Sequence, residues 1–200
     1  MSYQNNIKIT FLGDANSGKT SIIKKFVTQT FDPSSLSTIG ASSNIKTITH
    51  LNSEYTLNLW DTAGQERFKS ISKMLYRDAD AVVLVFDLSH RQTLESLESW
   101  HQSVLEISPQ NVILIIVGNK IDTIKADYSK GIMLDAKNFG SRVNAPTLFV
   151  SAKTGDGIES IFDTILDIYV QTRVAKNKSE DKNSFMLSET LVKTKKSGCC

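Results

Sequence analysis

The sequence predicts an α/β fold: a mostly parallel six-stranded sheet with helices on both faces, followed by a flexible C-terminal tail. Three observations predict it. Short apolar runs alternate with segments of helical periodicity over residues 7–172. Two runs, 81–87 (AVVLVFD) and 111–118 (NVILIIVG), are continuously apolar, as strands covered on both faces must be. The first run enters its helix through a short loop bounded by glycines.

In chain order, Ile7, Ile9 and Phe11 alternate with Lys8 and Thr10, which reads as a strand over 7–12. Gly13-Asp14-Ala15-Asn16-Ser17-Gly18-Lys19-Thr20 follows. Ser21 then opens a segment to Thr30 whose Ile22, Ile23, Phe26 and Val27 recur at helical spacing. Strand, glycine-bounded loop with Gly-Lys-Thr, then helix is the context of a P-loop. Successive loop N–H groups form a nest for phosphate oxygens, and the helix start adds its positive dipole end. Lys19 can reach the outer phosphates, and Thr20 can give its hydroxyl to a magnesium ion. Gly13 and Gly18 permit backbone angles and approaches that a Cβ would hinder.

Residues 43–50 and 54–60 read as two alternating strands joined near Asn52-Ser53, hence a hairpin. The sixth strand is the short run 147–150. Helical segments are expected over 67–77, 93–107, 130–139 and 158–172. In the last, Ile158, Ile161, Phe162, Ile165, Leu166, Ile168 and Tyr169 make one apolar face. Ligands in such sheets sit at the carboxyl ends of the strands, so the loops there should carry the chemistry.

Two hundred residues, 40% of them hydrophobic and 22% charged, suit one globular domain with a tail. A net charge of +2 argues against a nucleic-acid binder on bulk electrostatics. No run approaches the ~18 apolar residues of a membrane span. Residues 1–6 are polar without an apolar core, so no secretion is expected. Both cysteines are the last two residues, which excludes a disulfide framework and fits a reducing compartment. Residues 173–200 carry seven Lys/Arg against three Asp/Glu, a net +4 that leaves −2 elsewhere. With few apolar residues, this stretch reads as a flexible tail after a domain spanning 1–172.

Trp60-Asp61-Thr62-Ala63-Gly64-Gln65-Glu66 follows the second hairpin strand. Asp61 is placed to hold magnesium through water, Gly64 to bring its N–H to a terminal phosphate, and Gln65 to orient an attacking water. Alone, the segment reads equally as a buried Asp-Thr turn capping a helix. Beside the loop at 13–20, the phosphate reading prevails.

The chain resembles the Ras superfamily of small GTPases, and specifically the Rab family. The resemblance is carried by 60–68 (WDTAGQERF) with Tyr76-Arg77, 37–40 (STIG), 119–122 (NKID), 151–154 (SAKT) and the terminal Cys-Cys. It covers residues 7–172 and the last two, and it implies a P-loop NTPase G domain that binds GTP or GDP with Mg²⁺. Asn119, Lys120 and Asp122 would then form the guanine site. A carboxylate at Asp122 can accept bonds from guanine N1–H and the 2-amino group, which adenine does not offer there, and such sites reject the analogue by large factors. Lys120 would lay its stem on the base, and Asn119 would brace the base loop against the P-loop. From Ser151-Ala152-Lys153, Ala152 would offer its N–H to guanine O6 and Lys153 would sit near the ring. In isolation, Asn-Lys-Ile-Asp reads equally as a polar surface turn. Phe31 matches the aromatic placed against the base, and also reads as core. Thr38 matches the threonine that completes the magnesium shell and contacts the γ-phosphate. The surrounding segment 32–43, with Pro33 and five serines, is loop-like and is expected to switch on hydrolysis.

The implied mechanism is in-line attack of water on the γ-phosphoryl group, with Lys19, Mg²⁺ and loop amides stabilising charge and Gln65 positioning the water. No cis arginine finger is apparent, Arg67 and Arg77 reading as helix surface and ion pair. Unassisted turnover should therefore be slow, on the order of 10⁻⁴ s⁻¹ as for Ras itself. Three departures stand out. Ala15 and Asn16 replace common P-loop glycines or serine, Ala15 placing a methyl near Gln65 and Asn16 tolerating left-handed angles. Ser43 stands where Rabs usually carry an aromatic that joins Trp60 and Tyr76 in an effector-facing patch, though Trp60 and Tyr76 read equally as core. Ala41, after Thr38-Ile39-Gly40, is similar to endosomal members.

Cys199 and Cys200 resemble the Rab terminus that is geranylgeranylated on both cysteines with an escort protein. Two buried chains hold a membrane where one does not, and Lys193, Lys195 and Lys196 favour anionic lipid. The implied partners are an exchange factor, an activating protein, a GDP-dissociation inhibitor, the escort protein and effectors. The implied place is the cytoplasmic face of an intracellular membrane, for a chain acting as a monomer. The competing reading is a GTP-binding scaffold with little hydrolysis, which Ala15 favours and Gln65 opposes. A small-substrate P-loop kinase is opposed by the lack of an arginine-rich lid. His50, His90 and His101 lack ligand spacing and read as surface or structural.

Overall fold

The computed structural model describes residues 5–33, 38, 40–62, 77–107, 112–124 and 126–173, for 126–129 the backbone only. The expected helix at 67–77, most of the switch segment, Gly64, Gln65 and the tail with its cysteines lie outside the described residues. Two units are distinguished, Met1–Ile165 and Leu166–Cys200, and the sheet belongs to the first.

That sheet has six strands in the order β2-β3-β1-β4-β5-β6. They are β1 (Asn5–Leu12), β2 (Ala41–His50), β3 (Ser53–Thr62), β4 (Ala81–Asp87), β5 (Ile113–Asn119) and β6 (Thr147–Phe149). β2 and β3 form the predicted hairpin, antiparallel from Ala41↔Thr62 to His50↔Ser53. Every other pairing is parallel. All seven residues of β4 are buried, and six of the seven in β5, as their unbroken apolar runs require. β2 forms an edge of the sheet, and its residues are exposed or half-buried. The strands following β1 depart to its two sides, β3 to one and β4 to the other. This makes the carboxyl end of β1 a topological switch point, the place where α/β sheets bind ligands.

The helices are α1 (Lys19–Thr28), α2 (Arg91–Glu95), α3 (Leu97–Leu105) and α4 (Ala126–Arg142). Residues 158–165 form α5 in the first unit, and 166–173 are helical in the second. α1 buries Ile22, Ile23 and Phe26, as its spacing predicts, each gaining about 1.5–3 kcal/mol over exposure. Phe26 stacks on Phe162 of α5 with ring centroids 3.5 Å apart. Lys46 Nζ lies 3.9 Å from the Phe26 ring centroid and donates to the Phe26 carbonyl at 2.5 Å, satisfying a helix-end acceptor.

The single helix expected over 93–107 is divided. It starts earlier, at Arg91, and breaks at Ser96. The interruption is slight: Ser96 keeps right-handed helical angles (φ −65°, ψ −21°), and its amide and hydroxyl both donate to the Gln92 carbonyl, at 2.9 and 3.0 Å. α4 extends beyond the predicted 130–139 at both ends. The weaker periodicity of its first turn hid its start.

Candidate active site

The loop between β1 and α1 takes the backbone its glycines permit. Gly13 has φ +137°, and a Cβ there would lie 2.0 Å from the Val85 carbonyl oxygen. Gly18 has φ +94°, and its Cβ would lie 2.1 Å from Asn119 Nδ2. The loop is therefore pressed against β4 and β5 at two points where only glycine fits. Asn16 sits in the left-handed region at φ 62°, which its short polar side chain tolerates.

Lys19 opens α1 but is turned back into the loop and buried, 5% exposed. Its ammonium donates to the carbonyl oxygens of Gly13 (2.8 Å) and Asp14 (2.9 Å). Burial lowers its pKa to about 8, against the opposing pull of Asp61 and Asp14. Ser17 is fully buried behind it.

Three residues from three elements meet beside this loop. Thr20 Oγ1 lies 2.6 Å from Asp61 Oδ2 and 2.8 Å from Thr38 Oγ1, and Thr38 Oγ1 lies 3.1 Å from Asp61 Oδ2. Asp61 is 2% exposed, and its Oδ1 has no hydrogen-bond partner among the described residues. Burial pushes the Asp61 carboxyl up, against the lowering influence of Thr20, Lys19 and Thr38. An all-oxygen donor set with a buried, orphaned carboxylate oxygen fits a hard divalent cation such as Mg²⁺. Next to it, Thr62 donates to the Phe11 carbonyl at 2.7 Å, joining the ends of β3 and β1.

At the other end of the cleft, Asn119 links two loops. Its Nδ2 donates to the Ser17 carbonyl (3.0 Å), and its Oδ1 accepts the Ala152 amide (3.1 Å). The predicted brace is present. The Ala152 N–H, which the resemblance places near guanine O6, donates to Asn119 Oδ1 and lies at the edge of the same cleft. Asp122 accepts the Ser151 hydroxyl at 2.6 Å, and Ser151 in turn accepts the Thr154 amide at 3.1 Å. Lys120 has φ 67°, and its ammonium donates to Asp87 Oδ2 at 2.7 Å.

The cleft encloses about 370 Å³, within the usual range for a small-molecule site. Its phosphate-loop end is lined by Ala15, Asn16, Gly18, Lys19, Thr20 and Ser21. Phe31 and Thr38 flank it, so Phe31 faces the cleft rather than the core. Asn119, Lys120, Asp122, Ala152 and Lys153 line the far end. Gly13, Asp14, Ser17, Asp61 and Ser151 support it without lining it. Gly64 and Gln65 lie outside the described residues. Asp32, Pro33, Thr62 and Thr123 also line the cleft without having been singled out.

Two supporting residues escaped the sequence reading. Asp87 ends the run AVVLVFD at the carboxyl end of its strand, a position that could have marked it. Trp100 carries no local signal, yet its indole N–H donates to Asp14 Oδ1 at 2.9 Å. Burial alone would raise the Asp87 carboxyl. The ammonium of Lys120 and the hydroxyl and amide of Ser89 outweigh that and hold it below the usual carboxylate range. A depressed pKa stabilises the fold above the unfolded-state pKa, and that stability is lost as pH falls through the folded-state value. Asp87→Asn is therefore expected to cost about 1.5–3 kcal/mol at pH 7, with the gap to wild type closing below about pH 4. Urea denaturation at both pH values checks this, and an equal gap at both would contradict it.

A mostly parallel sheet with a glycine-bounded loop of phosphate-cradle form and a converging oxygen cluster at its switch point defines a nucleotide-binding α/β protein. Residues 8–171 match the model of the Ras family. Human Ras-related protein Rab-22A is 36% identical over 156 residues, 78% of this chain and 79% of the relative. Ras-related protein Rab-18 of Lymnaea stagnalis is 34% identical over 83% of this chain and 81% of its own length. Ras-related protein SEC4 of Candida albicans is 33% identical over 88% and 83% respectively. The chain belongs to the Ras family and, within it, to the Rab small GTPases. It is a GTP hydrolase that regulates vesicle trafficking, and membership favours this over the scaffold reading. Proteins of the family bind GTP or GDP, generally with Mg²⁺, and work with exchange factors, activating proteins and effectors.

Proposed function

We propose that this chain is a lipid-anchored Rab switch whose guanine nucleotide occupies the cleft, with its phosphates on the 13–20 loop and its base at Asp122. The observation that carries the reading is the meeting of Thr20, Thr38 and Asp61 beside the buried Lys19. Thr38 comes from the segment expected to switch. A ligand that holds it therefore reports its own presence to the surface.

The residues act as follows. Amides of the loop and of the first turn of α1 bind phosphate oxygens, and Lys19 exchanges its carbonyl partners for the outer phosphates. Thr20, Thr38 and Asp61 would hold Mg²⁺, which when bound neutralises charge on the phosphates. Gly64 binds the terminal phosphate through its N–H, and Gln65 orients the water. Asp122, positioned by Ser151, accepts from the guanine edge. The Lys120 stem, fixed at its tip by Asp87, lies along the base, with Phe31, Ala152 and Lys153 around it. Ala15 sets a methyl beside the phosphates and moderates the hydrolysis rate. Single-turnover assays test the reading. Wild type is expected to hydrolyse GTP but not ATP, and Gln65→Leu to slow the reaction at least about ten-fold. ATP turned over as fast as GTP, or a Gln65→Leu rate equal to wild type, would overturn it.

The two terminal cysteines support a geranylgeranyl anchor on the cytoplasmic face of an intracellular membrane, endosomal by the similarity at Ala41. A GDP-dissociation inhibitor and an escort protein would then handle the lipidated monomer. Cys199→Ser with Cys200→Ser is expected to leave the protein in the cytosolic fraction. A double variant still sedimenting with membranes would refute the anchor.

A further inference from the structure

Asp14 places a carboxylate next to a loop that must receive the most negatively charged part of a nucleotide. Left to itself, that charge would repel phosphate. Its Oδ1 instead accepts the indole N–H of Trp100 at 2.9 Å, across 86 residues of chain. Trp100 is 1% exposed, on the face of α3 that also buries Leu97 and Val104. Indole is a donor only, and a buried Trp N–H seeks an acceptor. The same Asp14 carries two of the loop's internal bonds on its main-chain oxygen. Lys19 Nζ donates to it at 2.9 Å and the Ser17 amide at 3.3 Å. The residue whose side chain is held by Trp100 is thus the residue whose carbonyl parks the phosphate-binding lysine.

We infer that Trp100 is a positioning residue for nucleotide binding: its indole N–H holds the Asp14 carboxylate, and with it the conformation of the phosphate loop. The inference rests on the reading of the cleft as a nucleotide site. α3 is itself anchored in the core through the buried Leu97 and Val104. Trp100 therefore ties the loop to a helix with its own anchorage. With the N–H removed, the half-buried carboxylate loses its donor and reorients, and the Asp14 carbonyl, which also accepts the Ser17 amide inside the loop, turns with it. The loop that remains is looser, and it releases nucleotide sooner.

The test is the release rate of a fluorescent GDP analogue from the full chain with Mg²⁺, for wild type, Trp100→Phe, Asp14→Ala and the double variant. Trp100→Phe keeps an aromatic ring in the core but removes the donor together with part of the buried volume, which is why the Asp14 backgrounds are needed to isolate the hydrogen bond. It is expected to release the analogue about ten-fold faster, the scale of a hydrogen bond to a charged group. Adding Trp100→Phe to Asp14→Ala is expected to change the rate less than two-fold. Adding it to Asp14→Asn, which keeps an acceptor oxygen, should still speed release. A purely structural Trp100 would lower the melting temperature of all backgrounds equally and leave release unchanged. That outcome, or an additive double variant, would overturn the inference. If wild type failed to hold GDP at all, the nucleotide reading itself would fall. A tight wild type with an unaffected Trp100→Phe defeats the positioning role alone.

Discussion

Asp122→Ala is expected to weaken GDP binding about 10³-fold while leaving the negligible binding of ADP unchanged. Two hydrogen bonds to a charged acceptor, at about 1.5–3 kcal/mol each, amount to roughly 3–6 kcal/mol, and each 1.4 kcal/mol is about a decade in affinity. The carboxylate has the capacity: it has about four acceptor sites, and the Ser151 hydroxyl uses one at Oδ1. That bond also aims it, since Ser151 is fully buried and is itself oriented by the Thr154 amide. Ser151→Ala should consequently have a smaller effect than Asp122→Ala, loosening the carboxylate without removing it. Displacement of a fluorescent GDP by unlabelled GDP and ADP measures both. An Asp122→Ala affinity within three-fold of wild type would remove this residue from base recognition.

Asn119→Ala is expected to lower stability even without nucleotide. Asn119 is 1% exposed, and it satisfies the Ser17 carbonyl and the Ala152 amide together. Each buried group left unpaired costs about 1–3 kcal/mol, so the pair costs about 2–6 kcal/mol. At roughly 2–4 °C per kcal/mol for a domain of this size, Tm should fall roughly 5–20 °C. Asn119→Asp should not rescue it. The carboxylate keeps an acceptor for Ala152 but turns a second oxygen toward the Ser17 carbonyl, where a donor is required. Thermal unfolding followed by circular dichroism checks this, and an Asn119→Ala curve superimposable on wild type would deny the bracing role.

The two variants act at different levels. Asp122→Ala is expected to act through ligand binding, whereas Asn119 holds the 13–20 and 151–154 loops together whether or not a ligand is there. Gly18 explains why the brace must be so close. The glycine lets Asn119 Nδ2 occupy the space where a Cβ would be.

Much of this was legible in the chain itself. Unbroken apolar runs marked β4 and β5 as interior strands, and alternation marked the β2–β3 hairpin, because burial on one face or two leaves a period in the sequence. Lys19, Thr20, Asp61, Asn119 and Asp122 were picked out by their spacing near strand ends, and the structure sets all five in or against one cleft. What sequence could not supply were the cross-chain polar partners. Trp100 to Asp14, Lys120 to Asp87 and Asn119 to Ala152 all depend on which strands become neighbours. Periodicity says that a strand is buried, not which strand lies beside it. The division at Ser96 was likewise hidden, since the backbone there keeps helical angles and the apolar spacing of Leu94, Leu97, Trp100 and Val104 runs through it. The sequence by itself determined the fold class and the chemistry of the loops. Only the tertiary structure decided how those loops are braced, because bracing is a matter of distances between atoms brought together by the order of the sheet.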